Sequence, residues 1–297
     1  ILFTFKKRGL HKMKTISLVT LYFPDENVKK NITQLSHFVD NVVLLDNTPN
    51  FDNSALFLGM EKTEYIAYKE NLGLSEAFNR YLKKLTENCF IIFFDQDSFC
   101  PESLIEQLKK DYQTCCNNLG RKGIIGPAYF EKNANQLMIP KQKKRITEGI
   151  YQVKSIITSG MFTELEVLQK IGLWNEEIFL DMADWDLCWR VLKNNFFCCL
   201  TRNVVLSHRL GKDVHRIGVF KIKEGAAFRV YYQTRDCLFL LRRNYVPLKF
   251  KLRFILMLTI RPVIYFIFLS DKKNRIHFFF KGIIDSKNKV HGVLSES

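Results

Sequence analysis

Long apolar runs are missing from this chain, as are Cys-x-x-Cys pairs, a glycine-rich phosphate loop, internal repeats and low-complexity tracts. The most apolar region, Leu248 to Leu269, holds two seven-residue runs, Phe254 to Ile260 and Val263 to Leu269, separated by Arg261-Pro262. A spanning helix needs about 20 mostly apolar residues, so this stretch is too broken to cross a bilayer. The eight cysteines lie partly inside apolar runs such as Phe196 to Leu200 and read as reduced core residues of a cytosolic protein. Leu21-Tyr-Phe-Pro-Asp25 stands where a nucleotidyltransferase would carry a basic, glycine-rich loop. Acids become scarce toward the end. Residues 201–297 carry 20 Lys and Arg against 6 Asp and Glu, whereas the first 200 carry 25 against 24. No nucleic-acid recognition motif accompanies this basic tail, so no nucleic-acid partner is expected. Ile1 to Lys14 is basic and lacks the apolar core of a secretory signal.

What is present is a βαβ rhythm. Thr15 to Tyr22, Val42 to Leu45, Glu64 to Tyr68 and Phe90 to Phe94 read as strands. Helical patterns follow Asp25, run from Ser75 to Leu85, and start again at Pro101. This alternation predicts a mostly parallel sheet with right-handed crossovers, in an α/β domain. Further on, the polar and basic residues 131–149 read as a mobile loop, and Tyr151 to Ile157 as a strand closed by Thr158-Ser159-Gly160. Glu164 to Ile171 and Asp184 to Lys193 read as helices, and Phe196 to Leu206 as an extended segment ending at His208.

Phe90 to Phe94 stops abruptly at Asp95 and Asp97. In parallel sheets ligands lie outside the carboxyl ends of the strands, so both acids emerge where a substrate would bind. Two carboxylates this close repel unless a cation shares the site, and a hard divalent ion bridging to a diphosphate suits them. An acidic turn capping the next helix is the plainer alternative. Asp46 ends the second strand on the same rim, either accepting from a base or ribose or closing an Asx turn. Asn71-x-Gly73 precedes the helix carrying Asn79; the glycine permits close backbone approach and the helix start favours anions. Asp181, Asp184 and Asp186 fall within six residues beside Trp185 and Trp189. Asp184 is either an N-cap or a general base, and Asp186 is spaced to pair with Arg190. His208 is either a metal ligand or a structural histidine.

In their order these motifs resemble family 2 glycosyltransferases, nearest the rhamnosyltransferase-like branch that builds bacterial surface polysaccharides. The set comprises Asp46-Asn47, Asn71 to Asn79, Phe94 to Ser98, Thr158-Ser159-Gly160, Phe179 to Arg190 and Ser207 to Gly211, within residues 15 to 245. The resemblance implies a GT-A fold (a Rossmann-like sheet flanked by helices), a nucleoside-diphosphate sugar donor and an inverting, metal-dependent hexosyl transfer. It implies that Asp46, Asn71, Gly73, Asn79 and Asp95 bind the donor nucleotide. Asp97 and His208, with Asp95, would hold Mg²⁺ or Mn²⁺, and Asp184 would be the catalytic base. Ala183 and Asp186 depart from the family pattern, which leaves Asp181, Asp186, Trp185 and Arg190 as acceptor-side residues. The expected acceptor is a lipid-linked glycan of O-antigen or capsule type. A transferase using another hexose, or a non-catalytic sugar-nucleotide-binding module, are the alternatives.

The expected organisation is an extension at residues 1–13, a GT-A catalytic domain at 14–228, and a basic, amphipathic helical region at 229–297. Arg229-Val-Tyr-Tyr-Gln-Thr-Arg235 is similar to a stretch that follows the catalytic domain in this branch. Lys249, Lys251 and Arg253 beside the broken apolar runs suit an interfacial helix on anionic lipid. Residues 246–297 are therefore expected to dock peripherally on the inner face of the cytoplasmic membrane. A helical hairpin packed on the catalytic domain is the competing reading.

Overall fold

The computed structural model describes residues 13–131, 136–140, 143–208, 213–217, 220–224 and 226–294. Residues 1–12 of the expected extension, and residues 209–211 of the last motif, lie outside them. The first half runs β1 (Thr15–Leu21), α1 (Glu26–Ser36), β2 (Asn41–Asp46), β3 (Thr63–Ala67), α2 (Gly73–Leu82), β4 (Phe90–Asp95), α3 (Leu104–Leu119) and β5 (Gly123–Glu131). Then come β6 (Gln136–Met138), β7 (Lys144–Thr147), β8 (Ile150–Gln152), β9 (Met161–Glu164), α4 (Leu165–Lys170), α5 (Ala183–Lys193) and β10 (Phe197–His208). The ribbon β11 (Asp213–Ile217) and β12 (Phe220–Glu224) leads to α6 (Arg229–Leu241), α7 (Leu248–Phe268) and α8 (Lys272–Lys287).

Ten strands form one sheet in the order β3-β2-β1-β4-β9-β5-β10-β8-β7, with β6 on β5. The first four are parallel, as the βαβ rhythm predicts. Beyond β4 the sheet is mixed: β9 runs antiparallel to both β4 and β5, β10 is parallel to β5, and β8 and β7 are antiparallel. The reversal has a local cause. Residues 158–160 return to the carboxyl-end rim, where Gly160 N–H donates to Phe93 O (2.8 Å), so β9 can only run back down the sheet.

Successive residues of β4 face opposite cores, Ile91 and Phe93 toward one, Phe90, Ile92 and Phe94 toward the other. This two-sided burial explains why the run shows no polar alternation. On one face Phe78 and Leu82 of α2, Leu165 and Leu168 of α4, and Leu187 and Trp189 of α5 cover the sheet. On the other, Ile32 and Leu35 of α1 pack with Leu104, Leu108 and Tyr112 of α3. Asp25 starts α1 by accepting from Asn27 N–H and Val28 N–H. Seven of the eight cysteines are buried in these cores.

Two sequence expectations change. Residues 136–138 and 144–147 of the presumed mobile loop form strands, because β5 and β8 offer them free edges. Of Tyr151 to Ile157, only the first two residues belong to a strand. The expected helix over the broken apolar runs is α7, which runs through Pro262. It forms a hairpin with α8, closed by Tyr265, Leu269 and Phe279 against Val230 of α6. Its outer side leaves Leu252, Ile255, Leu256, Ile260, Val263 and Ile267 exposed. No helix among the described residues is long and apolar enough to cross a membrane.

Candidate active site

The carboxyl ends of β2, β1 and β4 form a rim. Asp46 pairs with Leu21 across one side of β1, and Asp95 with Thr20 across the other. With strands about 4.8 Å apart, the two acids stand roughly 10 Å from each other.

The Asp95 to Ser98 turn is pinned on three sides. Ser98 N–H donates to Asp95 O (3.0 Å). The Gln96 side chain accepts from Tyr22 N–H (2.7 Å) and donates to Tyr22 O (3.1 Å), tying the turn to the end of β1. Ser159 Oγ accepts from Asp95 N–H (3.2 Å) and shares a hydrogen bond with Ser98 Oγ (2.5 Å). The result is a rigid turn from which the exposed Asp97 and the half-buried Asp95 face solvent. Antiparallel β9 brings Thr158-Ser159-Gly160 to this turn. A bridge between Phe99 and Ser207 brings the end of β10 to the same turn. The His208 side chain lies outside the described residues. Among those described, no group of three or more His, Cys, Asp or Glu could hold a metal.

Asp184 sits in the first turn of α5, directly after Met182, whose φ is 70°. One carboxylate oxygen accepts from Trp185 N–H (2.8 Å). The group keeps some accessible surface but is enclosed by protein, and this burial raises its carboxyl pKa to about 7. The negative charges of Asp95 and Asp181 add to the upward shift. Trp185, next in the chain, lines a cavity of about 180 Å³ together with Pro127, Tyr129, Met138, Pro140 and Ile157.

The two other acids of the cluster are engaged. Asp181 accepts from Arg229 Nη2 (2.5 Å) and Gln233 Nε2 (3.0 Å) of α6. Asp186 has no exposed surface and accepts from Arg190, Tyr245 and Asn175. Arg190 also donates to the carbonyls of Ile171 and Leu173. Asp186 and Arg190 therefore leave the acceptor side: both are turned inward, fastening α5 to its neighbours.

The expected nucleotide residues also divide. Asp46 is 1% exposed, with Oδ1 accepting from Thr48 N–H and Oδ2 from Asn53 and Tyr65. It closes an Asx turn and shapes the Thr48 to Asn53 loop rather than lining a pocket. Asn71 Oδ1 accepts from Gly73 N–H (3.1 Å). Gly73 has φ +72°, but the close approach it permits is to Phe179: an added Cβ would lie 2.5 Å from Phe179 O. Asn79 is a correction. Its amide donates to Trp174 O and Glu176, and its oxygen accepts from Trp174 N–H, so it braces the 174–176 turn.

A half-parallel sheet flanked by helices, with a twin-carboxylate turn on its rim, is the architecture of the GT-A fold. Solved structures of that class superpose on it. Staphylococcus aureus TarS 1-349 in complex with UDP-GlcNAc matches with a TM-score of 0.56 and 13% identity, over 94% of this chain and 82% of that one. GalNAc-T7 with UDP, GalNAc and Mn²⁺ matches with a TM-score of 0.52 and 10% identity, over 86% of this chain and 58% of that one. The family model for glycosyl transferase family 2 matches residues 25–172. A dTDP-rhamnosyl transferase RfbF of Shigella flexneri is 28% identical over 292 residues, covering 93% of this chain and 95% of that protein. Residues 25–172 of the chain form a glycosyl transferase family 2 domain.

Proposed function

We propose that this chain is an inverting transferase that moves a sugar, rhamnose being the first donor to test, onto a growing lipid-linked surface glycan of O-antigen or capsule type. The observation that carries the reading is Asp184 in the first turn of α5, its carboxylate accepting from Trp185 N–H and its pKa pushed up by burial to about 7, while Asp181 and Asp186 are engaged elsewhere. Of the three neighbouring acids, Asp184 is the one whose internal bonding is lightest and whose basicity suits proton removal at physiological pH. The acceptor hydroxyl attacks the anomeric carbon from the face opposite the diphosphate. The carbon–oxygen bond to the β-phosphate breaks, its electron pair leaves with the nucleoside diphosphate, and the hydroxyl proton passes to Asp184.

The nucleotide's base and ribose would lie against the Thr48 to Asn53 loop that Asp46 braces. Asp97 and Asp95 would form a donor set of the kind that holds Mg²⁺ or Mn²⁺ through a substrate phosphate, and the charge of Asp95 already adds to the upward shift of Asp184. When bound there, the ion supplies charge neutralisation for the departing diphosphate. Mn²⁺ and UDP in GalNAc-T7 support this assignment. Trp185 and its cavity would receive the acceptor. The exposed apolar side of α7, flanked by Lys249, Lys251 and Arg253, would rest on anionic lipid at the cytoplasmic face. The test is a panel of nucleotide sugars with and without Mg²⁺ or Mn²⁺, scored by donor-specific thermal stabilisation and then by nucleoside-diphosphate release. Stabilisation by one donor supports the reading; equal indifference to every donor would sink it.

A further inference from the structure

One helix outside the family-model match reaches into the site. The loop from Phe179 to Met182, which delivers Asp184, touches α6 through four side chains. Arg229 and Gln233 donate to Asp181. Tyr232 stacks flat on the Phe179 ring, with centroids 4.3 Å apart and planes 9° from parallel. Asp236 accepts from Phe179 N–H (3.0 Å). Positions 229, 232, 233 and 236 follow i, i+3, i+4, i+7, one face of a helix. On the loop's other side, Phe179 O accepts from Leu74 N–H (2.8 Å) at the start of α2, where Gly73 leaves no free space. The loop is thus gripped from both sides, immediately before the left-handed Met182 that turns the chain into α5.

The grip is built from groups that stability alone does not favour. Arg235 and Asp236 are both fully buried and form an ion pair at 2.8 Å. A buried ion pair is weak evidence for stability, because desolvation can exceed the Coulombic gain, whereas its directional bonds restrict geometry. Arg235 also donates to Gly292 O and Tyr231 OH donates to Asp285, so a second side of α6 is anchored to α8 and the residues after it. Tyr232 OH, on the gripping side, accepts from Leu294 N–H. Gly282 of α8 comes so near that a Cβ there would lie 2.8 Å from Tyr231 O.

We infer that α6 is a positioning helix for the transfer reaction: Arg229, Tyr232, Gln233 and Asp236 set the Phe179 to Met182 loop and so aim Asp184 at the acceptor hydroxyl. These four are positioning residues, acting through the loop and touching no reacting atom. The inference rests on the reading of Asp184 as the base. It assigns the C-terminal helices a part in catalysis that membrane docking does not require.

The test uses the full chain and dTDP-rhamnose as first probe, then the donor that the panel selects. Two variants loosen the grip at separate points: Tyr232→Leu removes the stack, and Arg229→Met with Gln233→Leu removes both donors to Asp181. Tyr232→Phe is the conservative rescue, keeping the stack while losing the bond to Leu294. The expected result is a kcat at least tenfold lower in both loosened variants, with donor KM and donor-induced thermal stabilisation within twofold of wild type. Tyr232→Phe should retain kcat within threefold. A purely structural role predicts instead that melting temperature, donor binding and rate decline together. Folded, donor-binding loosened variants that turn over at the wild-type rate would overturn the inference. If one variant fails to fold, the other decides. Asp184→Asn, run alongside, separates the two claims: full activity there defeats the base assignment, whereas an inert Asp184→Asn beside fully active loosened variants defeats only the role of α6.

Discussion

At the scale of single residues, three acids within six positions meet three environments. Asp186 is sealed and bonded by Arg190, Tyr245 and Asn175; Asp181 is held by Arg229 and Gln233; Asp184 keeps one backbone hydrogen bond and an upward-shifted carboxyl. Spacing alone could not separate them, since which neighbour arrives depends on α6 and on Tyr245, far along the chain. Asp184→Asn should retain donor-induced stabilisation while losing transfer by about 10²- to 10⁴-fold, measured as nucleoside-diphosphate release. Under the proposed role of Asp184 as base, which requires its ionised form, kcat/KM should rise with pH through about 7 and level off above it. The same shift has a stability sign. The folded carboxyl titrates above its unfolded value, so ionisation penalises the folded state; the penalty is absent below about pH 4, grows toward 7 and is then constant. Asp184→Asn should therefore melt higher than wild type at pH 8 and equally at pH 4, by calorimetry without donor. Asp97→Ala should abolish the metal-dependent part of donor stabilisation and leave the melting temperature of the free protein within a degree or two, since Asp97 is exposed.

At the scale of elements, α2 and α7 each do something their sequences half disclose. Asn71-x-Gly73 signals a tight entry into α2, yet the surface that presses on Gly73 is Phe179, over 100 residues later. Gly73→Ala combines a left-handed φ with a Cβ 2.5 Å from a carbonyl oxygen. It should destabilise by about 2 kcal/mol or more and reduce transfer, read by denaturant unfolding and by rate. Helix α7 reads in sequence as a basic start followed by two apolar runs broken at Arg261-Pro262. The structure divides it into a side packed through Phe250 and Phe254 on Trp185 and a side exposing Leu252, Ile255 and Leu256. Leu252→Glu with Leu256→Glu should leave the melting temperature and soluble donor turnover unchanged, because both side chains are exposed. It should shift the protein off vesicles containing anionic lipid in a flotation assay, and wild-type binding should weaken as salt rises. Equal flotation of the variant would remove α7 as the docking element.

At the scale of the whole molecule, βαβ alternation and abrupt strand ends made the front of the fold legible. Apolar runs such as Phe90 to Phe94 are compatible with little besides burial between two helical layers, and their last residues necessarily reach the ligand-binding rim. Local chemistry also marked the Asp-x-Asp turn, the entry into α2 and the start of α5, although Tyr22, Ser159 and Phe179, distant in the chain, fasten the first two. Long-range pairing was beyond it. The antiparallel return of β9, which seats Ser159 against Asp95, depends on a hydrogen bond between Gly160 and Phe93, 67 positions apart. The grip of α6 on the Phe179 loop joins residues up to 57 apart. Local propensity carries no information on such partners, since the contacts form only when the layers pack. The sequence by itself thus determined which acids reach the rim; tertiary packing decided which of them is engaged, because hydrogen-bond partners for a carboxylate are supplied by whatever element is folded against it.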